Sequence, residues 1–124
     1  LVGSKMCIGD RYLGASICAM SSKYEGFGMM MVEAMACGVP CVAFDCPCGP
    51  ADIISHEEDG LLVEKNNIPG LANALERLMG DEVLRGALAA KAREHVRRYA
   101  AETVAEQWNR LYGRVLEEGK GGRP

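Results

Sequence analysis

Two carboxylates and two glycines, close together, are the residues of this sequence best placed to do chemistry. The stretch Glu25-Gly26-Phe27-Gly28 runs directly into Met29-Met30-Met31-Val32-Glu33. Its Gly-Phe-Gly turn lies between an apolar run and a string of good helix formers. Glycines let the backbone approach a ligand closely. The first amides of the following helix, from about Gly28 to Met31, would point outward with the positive end of the helix dipole behind them. Such a turn suits a phosphate or a diphosphate. Gly-x-Gly turns are common, and G-x-G-x-x-G is not completed because Met31 occupies its third place. No Gly-Lys-Ser or Gly-Lys-Thr follows, so a standard dinucleotide site and a P-loop are both disfavoured.

Glu33 is the only charged residue from Gly26 to Phe44. It falls in a helix that reads as apolar all round and is therefore expected to be buried. An unpaired buried carboxylate is costly, so a polar partner is required. Either a Lys or Arg from elsewhere makes a structural ion pair with it, for which the surrounding sequence offers no obvious candidate, or Glu33 accepts hydrogen bonds from sugar hydroxyls. The residues alone leave these two readings level. Glu25 stands eight positions earlier, in the loop at the mouth of the same helix, where a carboxylate would face whatever the amides hold. Phosphate at the amides, with one diol at Glu33 and another at Glu25, describes a nucleotide-sugar.

Elements that could position these groups follow from the pattern. Gly9 to Ala15 predicts a short helix opened by Asp10 as cap, and Ile17-Cys18-Ala19-Met20 a buried strand. Met29 to Cys37 predicts a helix stopped by Gly38 and Pro40. Cys41-Val42-Ala43-Phe44 is a second strand, Ala51 to Ile54 a helical turn, and Asp59-Gly60 a turn into the strand Leu61-Leu62-Val63. Continuous apolar strands alternating with helices predict a doubly wound, Rossmann-like α/β fold with a parallel sheet covered on both faces. After Glu64 only helices are expected: one capped by Asn67 and running to Gly80, one capped by Asp81 and running to about Arg98, and one from about Ala101 to Glu118. Residues 1–64 thus form the α/β part, 65–118 the C-terminal helices of the same domain, and 119–124 a disordered tail.

The last helix carries Val104, Trp108, Leu111, Tyr112 and Val115 on one stripe. The three methionines Met29 to Met31 read as core filler.

Composition sets the outer limits. The chain has 124 residues, 48% apolar and 25% charged, enough for one globular domain with a modest core. A net charge of −3 argues against a nucleic-acid binder. The uncharged stretch Gly26 to Val32 is far too short to span a bilayer. Charge divides along the chain: residues 1–64 hold 9 acidic and 3 basic side chains, residues 65–124 hold 8 and 11. The basic surplus, at Arg93, Arg97, Arg98, Arg110 and Arg114, is either a solvated helix face or a docking surface for an acidic partner. Six cysteines are too dilute for a disulfide scaffold and read as reduced thiols. Cys41, Cys46 and Cys48 lack a second half-site for zinc, and His56 and His95 are single and unpaired, so no metal site is expected.

The segments Tyr24-Glu25-Gly26-Phe27-Gly28 and Glu33-Ala34-Met35-Ala36-Cys37-Gly38-Val39-Pro40-Cys41-Val42-Ala43 closely resemble the motif of the retaining glycosyltransferases of family 4, which have the GT-B architecture. In that motif two glutamates are separated by seven residues and followed by an Ala-Met-Ala-x-Gly-x-Pro helix end. The resemblance continues through Gly49-Pro50-Ala51-Asp52-Ile53-Ile54 and Asp59-Gly60-Leu61-Leu62-Val63 into the late helices, and so covers nearly the whole chain.

The resemblance implies that Glu25 is the catalytic-site glutamate that contacts the transferred sugar. It implies that Gly26, Phe27, Gly28, Met29 and Met30 bind the donor through their amides, and that Glu33 holds the nucleotide ribose. Asp52 stands where many members have a glutamate, and its role stays open. The implied reaction moves a sugar from a UDP- or GDP-sugar to an acceptor sugar or lipid-linked glycan with retention at the anomeric carbon. No metal or cofactor is implied, because amides and basic side chains stabilise the departing diphosphate.

The family's Arg and Lys for that task have no counterpart here, where only Lys5, Arg11 and Lys23 precede Glu25. The chain is therefore expected to be the second half of a donor-binding domain, inactive by itself, lacking the acceptor-binding N-terminal domain, and prone to self-association through an exposed sheet edge. The expected setting of the full-length protein is polysaccharide or glycoconjugate synthesis in the cytoplasm, with attachment to the inner face of the membrane as an option. Two alternatives remain open: a non-catalytic nucleotide-sugar-binding or interaction module, and a GT-B-type nucleotide-sugar epimerase.

Overall fold

Three short apolar runs pair as parallel strands in the computed structural model, which describes residues 8–120 and the side chains of residues 10–118. The strands β1 (Cys18–Met20), β2 (Cys41–Asp45) and β3 (Gly60–Glu64) lie in the order β1-β2-β3. Cys18 pairs with Cys41, and Cys41 in turn with Gly60. The helices are α1 (Ile8–Leu13), α2 (Met29–Ala36), α3 (Pro50–Ile53), α4 (Ile68–Gly80), α5 (Glu82–His95) and α6 (Ala101–Lys120), with a 3-10 turn at Val96–Tyr99 between the last two.

Strand side chains alternate between two cores, as the pleat requires. Cys18, Met20, Cys41 and Ala43 face Met31, Val32, Ala34 and Met35 of α2, Ile53 of α3, and Ala92 and Val96. Val42, Phe44, Leu61 and Val63 face the other way, onto Leu78 of α4 and Leu88 of α5. Each fully buried large side chain in these layers stabilises the fold by about 1.5–3 kcal/mol. Helices thus cover both faces of a parallel sheet, the doubly wound arrangement that the continuous apolar strands predict. Among the described residues, no strand pairs with the outer edge of β1, and Ala19 on it is exposed.

Helix ends follow the expected chemistry. Asn67 accepts from the Gly70 amide at 2.8 Å and Asp81 from the Leu84 amide at 2.8 Å, each satisfying an amide that the helix leaves open. Beyond α2, Gly38 takes a left-handed φ of 75°, and the Gly38 and Val39 amides return to the Met35 and Ala34 carbonyls.

Several expectations are corrected. α1 begins at Ile8, so Asp10 lies inside its first turn and not at its cap. The helix opened by Asp81 ends at His95 and tightens into the 3-10 turn. The two histidines do not pair with each other, but each has a hydrogen-bond partner of its own. His95 Nδ1 lies 2.8 Å from the Asp59 carboxylate, which is fully buried and also accepts from the Ser55 amide at 2.7 Å; His56 Nδ1 accepts from the Leu62 amide at 3.0 Å. A single sequence does not reveal these partners, since each pairing depends on how the chain returns.

α6 extends to Lys120, and residues 121–124 of the expected tail lie outside the described residues. Trp108, Leu111, Tyr112 and Val115 of its stripe are exposed. No helix among the described residues is long and apolar enough to cross a membrane.

Candidate functional site

The turn Gly26–Gly28 joins the end of β1 to the start of α2. Gly28 is the N-cap of α2 with φ 98° and ψ 45°, a left-handed conformation that L side chains resist, and no side chain caps the helix. A Cβ at Gly28 would collide with the Met31 side chain, and one at Gly49 would run into the Phe27 carbonyl oxygen. At Gly26 a Cβ would meet nothing within 4 Å, so the packing of the chain itself does not demand glycine there. The Met31 amide donates to the Gly28 carbonyl at 2.9 Å. This narrows the run of open amides expected from Gly28 to Met31: Met29 and Met30 begin the helix and have no acceptor within it. The positive end of the α2 dipole coincides with them.

Glu33 departs from expectation. It is exposed, because α2 buries only the stripe of Met31, Val32, Ala34 and Met35. An apolar composition had suggested burial all round, but one face of the helix remains open, and Glu33 shares that face with Met29 and Met30, four and three residues before it. The expectation that the methionines fill the core holds for Met31, which is fully buried, and not for Met29 and Met30, which are 57% and 39% exposed. No Lys or Arg among the described residues lies within 4.0 Å of Glu33. Its partner is the Tyr12 hydroxyl, which reaches Oε2 at 3.4 Å. Partial burial, then the nearby Glu33 charge, raises the Tyr12 phenol above its ordinary pKa. Tyr12 was missed in the sequence because it lies 21 residues upstream on another helix.

Glu25 is half-buried in the loop before the turn. The Phe27 ring, 37% exposed, meets the Tyr99 ring edge-on at 5.3 Å between centroids. Asp52 is exposed at its side chain, and the atom the structure uses is its carbonyl oxygen, which accepts from Tyr99 and Arg98.

Two hollows flank the region. One of about 340 Å³ lies between α2 and the 3-10 turn, lined by Val32, Ala36, Arg93, Val96, Arg97, Tyr99 and Ala100. None of Glu25, Gly26, Phe27, Gly28, Met29, Met30 or Glu33 lines it, so it is a neighbour of the turn and not its mouth. The other, of about 580 Å³, is lined by Ser21, Lys23, Phe44, Asn66, Ile68 and Leu71, around the carboxyl ends of the strands. Ligands of open parallel sheets bind at that end.

Two of the five late arginines are tied into the fold: Arg93 donates to the Cys37 carbonyl at 3.1 Å and Arg98 to the Asp52 and Ile53 carbonyls, so they close helix ends, while Arg97, Arg110 and Arg114 are exposed. In the core, the adjacent Cys18 thiol and burial push the Cys41 thiol well above its ordinary pKa, which suits packing and not reactivity.

Residues 3–102 match the family model described as glycosyl transferases group 1. The chain is 42% identical over 117 residues to an exopolysaccharide phosphotransferase of Streptomyces coelicolor, a match covering 94% of this chain and 12% of that protein. It is 39% identical over 93 residues to the poly(ribitol-phosphate) alpha-N-acetylglucosaminyltransferase of Staphylococcus aureus, covering 74% of this chain and 19% of that one. Among solved structures it resembles a variant of S. aureus TarM in complex with fondaparinux, alpha-GlcNAc-glycerol and UDP. That match has a TM-score of 0.78 and 34% identity and covers 84% of this chain and 21% of the other. The chain therefore spans less than a quarter of the length of each of these relatives.

Proposed function

The chain belongs to the glycosyl transferases group 1 family and has the fold of a GT-B C-terminal domain, and from that premise we propose that it carries the donor half of a retaining sugar transfer. The donor is a nucleoside diphosphate sugar. Its diphosphate lies against the open amides of Met29 and Met30, beside Gly26, Phe27 and Gly28, and its ribose diol is held by Glu33. Glu25 contacts the sugar being moved. The acceptor is a sugar or a lipid-linked glycan, bound by parts of the protein beyond this chain.

One observation carries the reading: α2 starts on a left-handed glycine with no side-chain cap, and its exposed face carries a carboxylate without a cationic partner among the described residues. An amide cluster at a helix N-terminus favours an anion, and a carboxylate one turn further favours hydroxyl donors. As the diphosphate leaves, negative charge grows on its oxygens, and preorganised amides stabilise that charge without reorganising. The UDP bound by the similar S. aureus structure supports a uridine or related nucleoside diphosphate as ligand here. The phosphotransferase name of the Streptomyces relative belongs to a protein of which this chain covers 12%, and its chemistry is not carried over.

The test is a product assay on the protein at its natural length. UDP- and GDP-sugars labelled in the sugar and, separately, in the β-phosphate are incubated with glycan acceptors. The proposal expects the sugar label alone in the product, with the anomeric configuration of the donor by NMR. Transfer of the phosphate label would favour a phosphotransferase, a changed sugar without transfer an epimerase, and binding without any product a non-catalytic module.

A further inference from the structure

Two residues some seventy positions downstream close on the turn ahead of α2. α3 is a four-residue helix, too short to hold itself in place. At its N-terminal side Gly49 lies under the Phe27 carbonyl with no room for a Cβ. At its other end the Arg98 guanidinium donates to the Asp52 and Ile53 carbonyls, both at 2.9 Å, and the Tyr99 hydroxyl donates to the same Asp52 carbonyl at 2.8 Å. The Tyr99 ring then turns its edge on Phe27, with ring planes at 81°, while the Arg98 guanidinium lies 4.9 Å over the Tyr99 ring. α3 is thus held at both ends, and the turn touches the same assembly twice: through its backbone at Gly49 and through its ring at Tyr99. The 3-10 turn makes this possible, because it brings consecutive residues 98 and 99 onto α3 together.

We infer that Tyr99 and Arg98 are positioning residues for the diphosphate-binding turn: by fixing α3 and the Phe27 ring they hold Gly26–Gly28, and with it the amides of Met29 and Met30, in the arrangement that receives a diphosphate. This rests on the donor site proposed above. Displacing amides from the phosphate oxygens weakens their hydrogen bonds, whereas the Glu33 end of the site lies on the body of α2, whose Met31 and Met35 are also buried against the strand residues Met20, Cys41 and Ala43 and so have support besides the brace. The brace therefore acts on the diphosphate end of the ligand more than on its nucleoside end.

The experiment compares the natural-length protein with Tyr99→Phe, Tyr99→Ala and Arg98→Lys, titrating UDP, GDP and the corresponding nucleosides by calorimetry, with a thermal melt of each variant to establish that it is folded at the titration temperature. Tyr99→Phe keeps the ring and loses one hydrogen bond, so its diphosphate affinity should fall about three- to tenfold. Tyr99→Ala should fall further. Arg98→Lys, which cannot reach two carbonyls from one planar group, should resemble Tyr99→Phe. In all three the nucleoside affinity should change by less than the diphosphate affinity. A folded Tyr99→Phe with both affinities unchanged, or both lowered equally, overturns the positioning role. Wild-type protein that binds neither diphosphate overturns the donor site itself and this inference with it.

Discussion

At Glu33 the helical period decides what composition could not. Seven apolar neighbours suggested a buried carboxylate, yet the period of α2 places Glu33 on the open face, with only the Tyr12 hydroxyl at 3.4 Å beside it. That geometry separates function from stability. Glu33→Ala should change unfolding free energy by less than about 1 kcal/mol, as for other exposed groups. The same change should weaken nucleotide affinity by about ten- to a hundredfold if the carboxylate accepts the ribose hydroxyls. Denaturant unfolding and calorimetric titration of the one variant give both numbers; a large stability loss with unchanged affinity would make Glu33 a structural residue. Tyr12→Phe should leave stability within about 0.5 kcal/mol by the same melt, since it removes only a long, exposed contact.

At the scale of elements, most of the architecture was legible and most of the bracing was not. Runs such as Cys41 to Phe44, the Gly38-Pro40 stop, and the caps Asn67 and Asp81 encode their structures locally, and each strand and helix lies within a few residues of where the pattern puts it. The glycine turn at the start of α2 was legible for the same reason, because its glycines and the helix after it are consecutive. Contacts between residues far apart in sequence were invisible: Asp59 with His95, 36 residues apart, and Asp52 with Tyr99, 47 apart, depend on the path of α5.

The first of these contacts carries a stability prediction. Asp59 is fully buried and accepts from both Ser55 and His95. Asp59→Ala leaves the Ser55 amide unpaired and should destabilise the protein by about 1–3 kcal/mol, read as a fall in the denaturation midpoint without a change of slope. Gly49→Ala acts on the turn instead. Its φ of 135° and its contact with the Phe27 carbonyl mean that an added methyl must push the turn away, so diphosphate affinity should drop together with the melting temperature.

For the whole molecule, order is unevenly distributed. β2 is central, with Cys41 to Phe44 all buried between two helical layers, while α6 leaves Trp108, Leu111, Tyr112 and Val115 exposed. Hydrogen exchange should therefore be slowest at β2 and fastest along α6, since local opening follows buried contact. Protection of α6 equal to that of β2 would mean that its apolar stripe is covered in solution.

Backbone amide NMR during a UDP or GDP titration reads out whether a nucleoside diphosphate sits on the open amides at the start of α2, as proposed. Saturable shifts should be largest at Met29 and Met30, should extend to Gly26–Gly28 and Glu33, and should weaken in Glu33→Ala. Shifts centred instead on Ser21, Lys23 and Asn66, or none at any of these amides, would contradict the proposal.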